Sequence, residues 1–247
     1  MTFPEAETQL IQRLTARYGA GEASSIVRIV MEDAFRYFGQ ESSRLLDAAE
    51  MAQYDVIATR LLTGEPVQYV LGEADFFGLK FLVTPAVLIP RQETELLVAE
   101  ILKYFKINAL SEPRLLDIGL GSGCIGLTLK RKYPGLQLYG MEKSEAALEV
   151  ASQNASRLLG EKDDAVKLFQ GDILDRESWP ELPEFDLIVS NPPYIPLTEK
   201  HLVPEHVQAH EPALALFVEA EDALLFYRVI ADFAREKLHP GGALFFE

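Results

Sequence analysis

The chain has 247 residues, 48% of them hydrophobic, enough for one large domain or for a small one and a medium one. Its 38 acidic and 23 basic residues give a formal charge of −15, which repels a polyanion over most of the surface and disfavours nucleic acid as a direct partner. The single cysteine, Cys124, excludes an internal disulfide, the start MTFPEAETQ has neither a basic nor an apolar leader region, and no apolar run approaches the ~20 residues of a membrane span. A cytoplasmic protein without a membrane partner is expected.

The first 64 residues read as helices. Thr2 and Glu5 have capping-box spacing, and Phe3, Ala6, Leu10, Leu14 and Tyr18 form a helical stripe that Gly19 and Gly21 are expected to end. A second stripe, Ile26, Val27, Val30, Met31, Ala34, Phe35 and Phe38, stops at Gly39, and a third helix runs from about Glu50 to Leu62, with Gly64 and Pro66 behind it. Residues 1–72 therefore read as a small helical domain. ADFFGLKFLV is strand-like on both sides of Gly78 and predicts a hairpin, so residues 73–90 read as a joint.

From Glu93 the pattern alternates. The helix ETELLVAEILKYF precedes the strand RLLDIG, a helix from Gly123 to about Tyr133, the strand LQLYGME, a helix from Ser144 to Leu159, and the strands VKLFQGD and FDLIVSN. After a polar loop come a helix from about Ala220 to Leu238 and the start of a strand in GGALFFE, where the sheet is expected to be incomplete. Strands separated by helices of crossover length imply an α/β fold, a doubly wound and mainly parallel Rossmann-like sheet over residues 91–247.

LLDIGLGSGCIG follows the first of these strands and opens a helix, an arrangement that brings backbone close to a ligand. Gly121, Gly123 and Gly126 satisfy the dinucleotide fingerprint, yet Asp117 just ahead of Gly119 is a poor neighbour for a pyrophosphate. A cofactor without phosphate and with a cationic head suits it better, and S-adenosylmethionine carries an ammonium and a sulfonium. Glu142 and Asp172 end the next two strands. Ligands bind outside the carboxyl ends of strands in open α/β sheets, so Glu142 is placed to accept the ribose hydroxyls, with Asp172 and Ile173 bordering the adenine. Cys124 reads as a small buried hydrophobe.

In IVSNPPYIP a buried strand runs into two prolines, which cannot donate to a ladder. Asn191, held extended before Pro192, is left with free acceptors at the strand's end. If the Asn191 side-chain oxygen and the Pro192 carbonyl each accept an N–H of a planar amide, that nitrogen is aligned for methyl transfer, and Tyr194 packs on the flat group.

These motifs resemble those of class I methyltransferases that act on planar nitrogens. Within that group DIGLGSG, NPPYIP, GEPVQYVLG, FFGLKFLVTPAVLIPRQETELL and EPALAL are similar to the protein-(glutamine-N5) methyltransferases of peptide release factors, the HemK/PrmC family, over nearly the whole chain. The resemblance implies a helical first domain that recognises the release factor and a catalytic domain that methylates the glutamine of its Gly-Gly-Gln motif. It places the cofactor at Gly119, Leu120, Gly121, Ser122, Gly123, Glu142, Ile173 and Asn191. The substrate falls to Asn191, Pro192, Pro193 and Tyr194. Leu120 stands where the family usually has Thr, Glu142 where Asp is commoner, and Ile173 where an aromatic is frequent.

An adenine-N6 DNA methyltransferase uses a similar Asn-Pro-Pro-Tyr site, but a charge of −15 opposes it. A nicotinamide oxidoreductase is opposed by Asp117, and a silent cofactor-binding module by the intact NPPY. His201, His206 and His210 lack a compact third-ligand pattern, so EKHLVPEHVQAHE is expected to be a solvated loop and no metal site is expected.

Overall fold

In the computed structural model, which describes residues 1–39, 43–160, 163–218 and 222–247, the chain divides into two units, Met1–Glu73 and Ala74–Glu247. The first holds α1 (Phe3–Phe35), α2 (Ala48–Leu62) and α3 (Val67–Leu71). Thr2 and Glu5 form the expected reciprocal cap, each side chain accepting the other's backbone N–H. Asp47 and Glu50 repeat it for α2, so that helix begins ahead of Glu50. Gly19 leaves helical geometry (φ 75°, ψ 163°), so α1 is two helices meeting at a kink at the glycine expected to end the first of them, while Gly21 already lies in the second. Phe38 falls outside the helix and is 63% exposed, because α1 closes at Phe35 with Arg36 in the left-handed region donating its N–H to the Met31 carbonyl. Phe3, Leu10, Leu14, Val27, Val30 and Leu61 are fully buried, and the Phe3 ring stacks on Tyr37 with centroids 4.9 Å apart. Arg60 ties α2 to α3 through Glu65 and the carbonyls of Tyr69 and Val70.

The second unit starts with the predicted hairpin, β1 (Glu73–Phe76) and β2 (Leu79–Leu82), turned by Phe77 and Gly78, both at positive φ. It is no free joint. Phe76 and Phe81 pack into the same core as Ile101, Phe105 and Leu115. There follow α4 (Gln92–Ile107), β3 (Arg114–Ile118), α5 (Cys124–Lys132), β4 (Gln137–Glu142), α6 (Glu145–Leu159), β5 (Val166–Gln170) and β6 (Phe185–Ser190). The stretch expected to be a polar loop is more ordered: β7 (Ile195–Pro196) pairs with β8 (Phe217–Val218), and between them lie a 3-10 turn at Leu197–Leu202, α7 (Glu205–His210) and α8 (Ala213–Leu216). Short pairing thus resumes after Pro193. The last helix, α9 (Leu225–Lys237), leads directly into β9 (Leu238–Phe246); its expected start, Ala220, lies outside the described residues.

The five long strands form one parallel sheet in the order β5-β4-β3-β6-β9. Successive residues face opposite sides, as the period of a strand requires. Leu115 and Leu187 point into the core shared with α4 and α5, while their neighbours Leu116 and Ile188 join Trp179, Ile230 and Phe233 on the other face. The chain order reverses between β3 and β6. At that reversal the loops leaving two adjacent strands diverge and open a crevice.

Candidate active site

The loop after β3 fills one side of this crevice. Gly119, Gly121 and Gly123 all have positive φ (74°, 56° and 80°), which any other residue would adopt under strain. A Cβ at Gly119 would point into open space and one at Gly121 would only touch the Gly119 carbonyl at 4.0 Å, so the loop presents bare backbone to the cleft, whereas one at Gly123 would strike Leu127. Gly126 serves packing: a Cβ there would come within 2.9 Å of both Leu138 and Asp117.

Three buried side chains fix the loop from beneath. Glu142, at the end of β4, accepts the N–H of Gly121 and that of Ser144, each at 2.8 Å. Asp117 accepts the Gly126 N–H at 2.9 Å. Asn154 of α6 donates to the Ser122 carbonyl at 2.9 Å while holding both the N–H and the carbonyl of Leu82. This role of Asn154 had no sequence signal beyond a polar residue on a helix.

Asp117 departs from expectation. It is 1% exposed and does not line the cleft; burial pushes its carboxyl up to about 7, against the opposing effect of the Gly126 hydrogen bond and with a further rise from the Glu142 charge. It supports the loop rather than facing a ligand. Cys124 packs at the edge of the core, and burial pushes its thiol up to about 12, so it is no nucleophile at neutral pH.

The cleft itself, about 170 Å³, is lined by Gly119, Leu120, Gly121 and Ser122, by Glu142, by Asp172 and Ile173, and by Asn191, Pro192 and Pro193. Gly123 does not reach its wall. Asp172 also pairs with Lys143 at 3.0 Å and accepts the Leu174 N–H. Leu120 points inward to pack within van der Waals reach of Gly140, which leaves its backbone to the cleft. A second cleft, about 400 Å³, is bounded by Tyr194, Ile195, Glu199, Val203, Val207 and Leu216. Asn191, Leu88, Arg91 and Ala215 border both. Tyr194, 54% exposed, lines the second cleft alone.

Arg91, which borders both clefts, is held by an ion pair that has no sign in the sequence. The buried Glu211 accepts from Arg91 at 2.6 Å and from the Ile89 N–H at 3.2 Å, joining segments about 120 residues apart. Both residues sit in the quoted segments PRQETE and EPALAL, but a single sequence carries no sign that they meet. The three histidines do not converge: His201 lies on the 3-10 turn with its ring against the Thr198 carbonyl, and His206 and His210 lie on α7.

The residues present fit a nucleoside with a cationic head. Bare glycine backbone lines the floor, and Glu142 and Asp172 supply acceptors.

Comparison with known proteins bears on what this arrangement does. The sequence matches the methyltransferase small domain over residues 92–212 and the PrmC N-terminal domain over residues 5–72. It is 39% identical to a release factor glutamine methyltransferase of Flavobacterium psychrophilum, over 100% of this chain and 86% of that protein. It is 42% identical to one of Bacteroides thetaiotaomicron over 85% of this chain and 72% of the relative. Among solved structures, the catalytic domain of hMettl16, determined in complex with the MAT2A 3′UTR hairpin 6, aligns with a TM-score of 0.50 at 16% identity, covering 78% of this chain and 66% of that one, a likeness of fold. No helix among the described residues is long and apolar enough to cross a membrane.

Proposed function

The chain belongs to the release factor glutamine methyltransferases, S-adenosylmethionine-dependent enzymes, and from that premise we propose that it methylates the side-chain nitrogen N5 of the glutamine in the Gly-Gly-Gln motif of peptide chain release factors. The observation that carries this reading is the position of Asn191, which directly follows β6 and borders both clefts. A cofactor held in the first cleft and an amide entering from the second would meet at that side chain.

When bound, S-adenosylmethionine supplies an electrophilic methyl group on a sulfonium. The protein's task is to hold a weak nucleophile in line with it. An amide nitrogen is delocalised and planar, so acceptors on its N–H bonds both orient it and raise its electron density. Asn191 Oδ1 and the Pro192 carbonyl are assigned that role. Pro193 stiffens the turn, and Tyr194 covers the flat amide group and excludes water. On the cofactor side, Glu142 accepts from the ribose hydroxyls, Gly119 to Ser122 offer backbone, and Asp172 and Ile173 border the base. The helical unit, matched over 5–72 to the PrmC N-terminal domain, docks the release factor and supplies binding contacts remote from the reacting nitrogen. The work is done in the cytoplasm, where the release factors act.

The test is mass spectrometry of a release factor incubated with the protein and S-adenosylmethionine. One added methyl on the Gly-Gly-Gln glutamine is expected. An unmodified glutamine, or methyl transfer to adenine in DNA, would refute the assignment.

A further inference from the structure

The second cleft is lined by one cation among the described residues, and the scheme above does not use it. Arg91 is the N-cap of α4 with extended backbone (φ −99°, ψ 150°), and its side chain caps nothing in that helix. Instead it donates to Glu211 at 2.6 Å and, partly exposed, lines both clefts. Glu211 is itself fixed. Its side chain is 2% exposed, its other oxygen accepts the Ile89 N–H at 3.2 Å, and its own N–H donates to the Val207 carbonyl of α7. Both carboxylate oxygens are therefore engaged within the protein, whereas the guanidinium carries five N–H donors and meets Glu211 through one of its nitrogens. Desolvation offsets most of the attraction in a buried ion pair, so stability alone is a weak reason for this one. What the pair does is hold a donor at a set place on the wall of both clefts.

We propose that Arg91 is a specificity-determining residue for the protein substrate, donating to main-chain carbonyl oxygens of the loop that carries the glutamine, with Glu211 as the positioning residue that aims it. The inference rests on the reading of the site given above. The two residues ahead of the reacting glutamine are glycines, which offer no side chain, so main-chain groups are what the protein can grip there. An arginine has donors and no acceptor, and its planar fork is already organised for acceptors before they arrive. Arg91 and Asn191 both line the two clefts, so a loop held at Arg91 brings its glutamine to where the clefts meet. The contact belongs to the main chain and not to the reacting amide. A donor on that amide's own oxygen would draw electron density out of the nitrogen through the C–N bond and oppose methyl transfer. The contact is therefore made equally before and during the reaction, and it acts on KM more than on kcat. Glu211 also balances the guanidinium charge on the wall of a cleft whose cofactor carries a sulfonium.

The experiment uses the full chain, a Gly-Gly-Gln peptide and three variants, Arg91→Met, Glu211→Gln and the double variant Arg91→Met/Glu211→Gln. Arg91→Met keeps an apolar stem and removes every donor. It is expected to raise peptide KM on the order of 10- to 100-fold, the range for a hydrogen bond to a charged group, with kcat and the calorimetric affinity for S-adenosylhomocysteine changed by less than about twofold. Glu211→Gln still offers the Ile89 N–H an oxygen but aims Arg91 less firmly, and should raise KM by roughly 3- to 10-fold. Because Glu211 acts through Arg91, the double variant should have the KM of Arg91→Met and no higher. It also decides the matter if Arg91→Met, which leaves a buried carboxylate unpaired, fails to fold. An unchanged KM once the arginine is gone, a loss that falls on kcat or on cofactor affinity instead, or single effects that simply multiply in the double variant would each overturn the proposal. A wild-type protein that leaves the peptide unmethylated would refute the site's reading and this proposal with it. Wild-type turnover alongside an unaffected KM in the arginine variants refutes the proposal alone.

Discussion

The helical unit fills its interior with Phe3, Leu10, Leu14, Val27, Val30 and Leu61, whereas the buried polar and charged side chains among the described residues, tyrosines aside, run from Thr94 to Glu211 and so all belong to the sheet unit. Burying a polar group costs free energy unless it finds partners, so an interior that holds many of them has another demand on it. In the sheet unit their partners show what that demand is. Asp117, Glu142 and Asn154 each hold a piece of the glycine loop, and Glu211 holds Arg91 at the junction of the two clefts. One unit is organised for folding and surface, the other for holding backbone in place around a ligand.

The largest test of this contrast is Phe3→Ala. The ring is fully buried, stacks on Tyr37 and has the Arg44 guanidinium 4.4 Å from its centre, so its removal should cost about 3–5 kcal/mol of the helical unit's stability. Denaturant unfolding should show the loss while calorimetric affinity for S-adenosylhomocysteine stays unchanged. Methylation of an intact release factor should fall more than methylation of a short Gly-Gly-Gln peptide. Cofactor affinity that dropped in step with stability would erase the distinction between the units.

Asp117→Asn tests the other side. With its carboxyl raised to about 7 in the folded protein and near 4 when unfolded, Asp117 stabilises the fold fully below pH 4 and loses that contribution as pH rises to 7. Asparagine keeps an oxygen for the Gly126 N–H and does not titrate. The wild type should therefore lose stability relative to the variant between pH 4 and 7, by up to about 4 kcal/mol at 1.36 kcal/mol per pH unit. Parallel stability curves for the two proteins, from urea midpoints across this range, would mean that the carboxyl is ionised in the folded state.

Next in size, Asn191→Ala should slow methyl transfer on the order of 100-fold, about 3 kcal/mol, on peptide and intact factor alike, with much of the S-adenosylhomocysteine affinity kept. Equal behaviour on the two substrates separates it from Phe3→Ala. Near-normal turnover would remove Asn191 from the chemistry.

Much of this was legible beforehand because it is local. Capping boxes, the hairpin glycine, strand periodicity and the loop DIGLGSG depend on residues a few positions apart, and the strands they define leave little choice of topology. The parallel order placing β6 beside β3 followed, and with it Asn191 next to the glycine loop. What was not legible joins distant positions. Arg91 meets Glu211, Asn154 meets Leu82 and Ser122, and nothing in the residues' identities announces it. Asp117 was misjudged for a related reason: its place at a strand's end was right, but one residue's alternation decides whether a side chain faces the cleft or the underside of the loop. Phe38 missed its helix because Arg36 adopts the left-handed conformation, two residues before the stripe ends.

The smallest expected effect is also the one that best separates holding a loop from holding a ligand. Glu142 already accepts from Gly121 and Ser144, yet it lines the cleft, so its carboxylate can take part in both tasks. Charge-assisted hydrogen bonds contribute roughly 1.5–3 kcal/mol each at best, so Glu142→Ala should weaken S-adenosylhomocysteine at least about tenfold. If the loss comes through the ribose hydroxyls, it should shrink sharply for a nucleoside thioether lacking both of them, since wild type and variant then have nothing to accept. If it comes through a loosened Gly121, the two ligands should lose affinity by the same factor in the variant, because the loop's backbone meets both alike. Calorimetry of the four combinations gives a thermodynamic cycle whose coupling term reads the hydroxyl contact directly. A coupling near zero would assign Glu142 to the same supporting role as Asp117, and would leave Asp172 as the acceptor lining that part of the cleft.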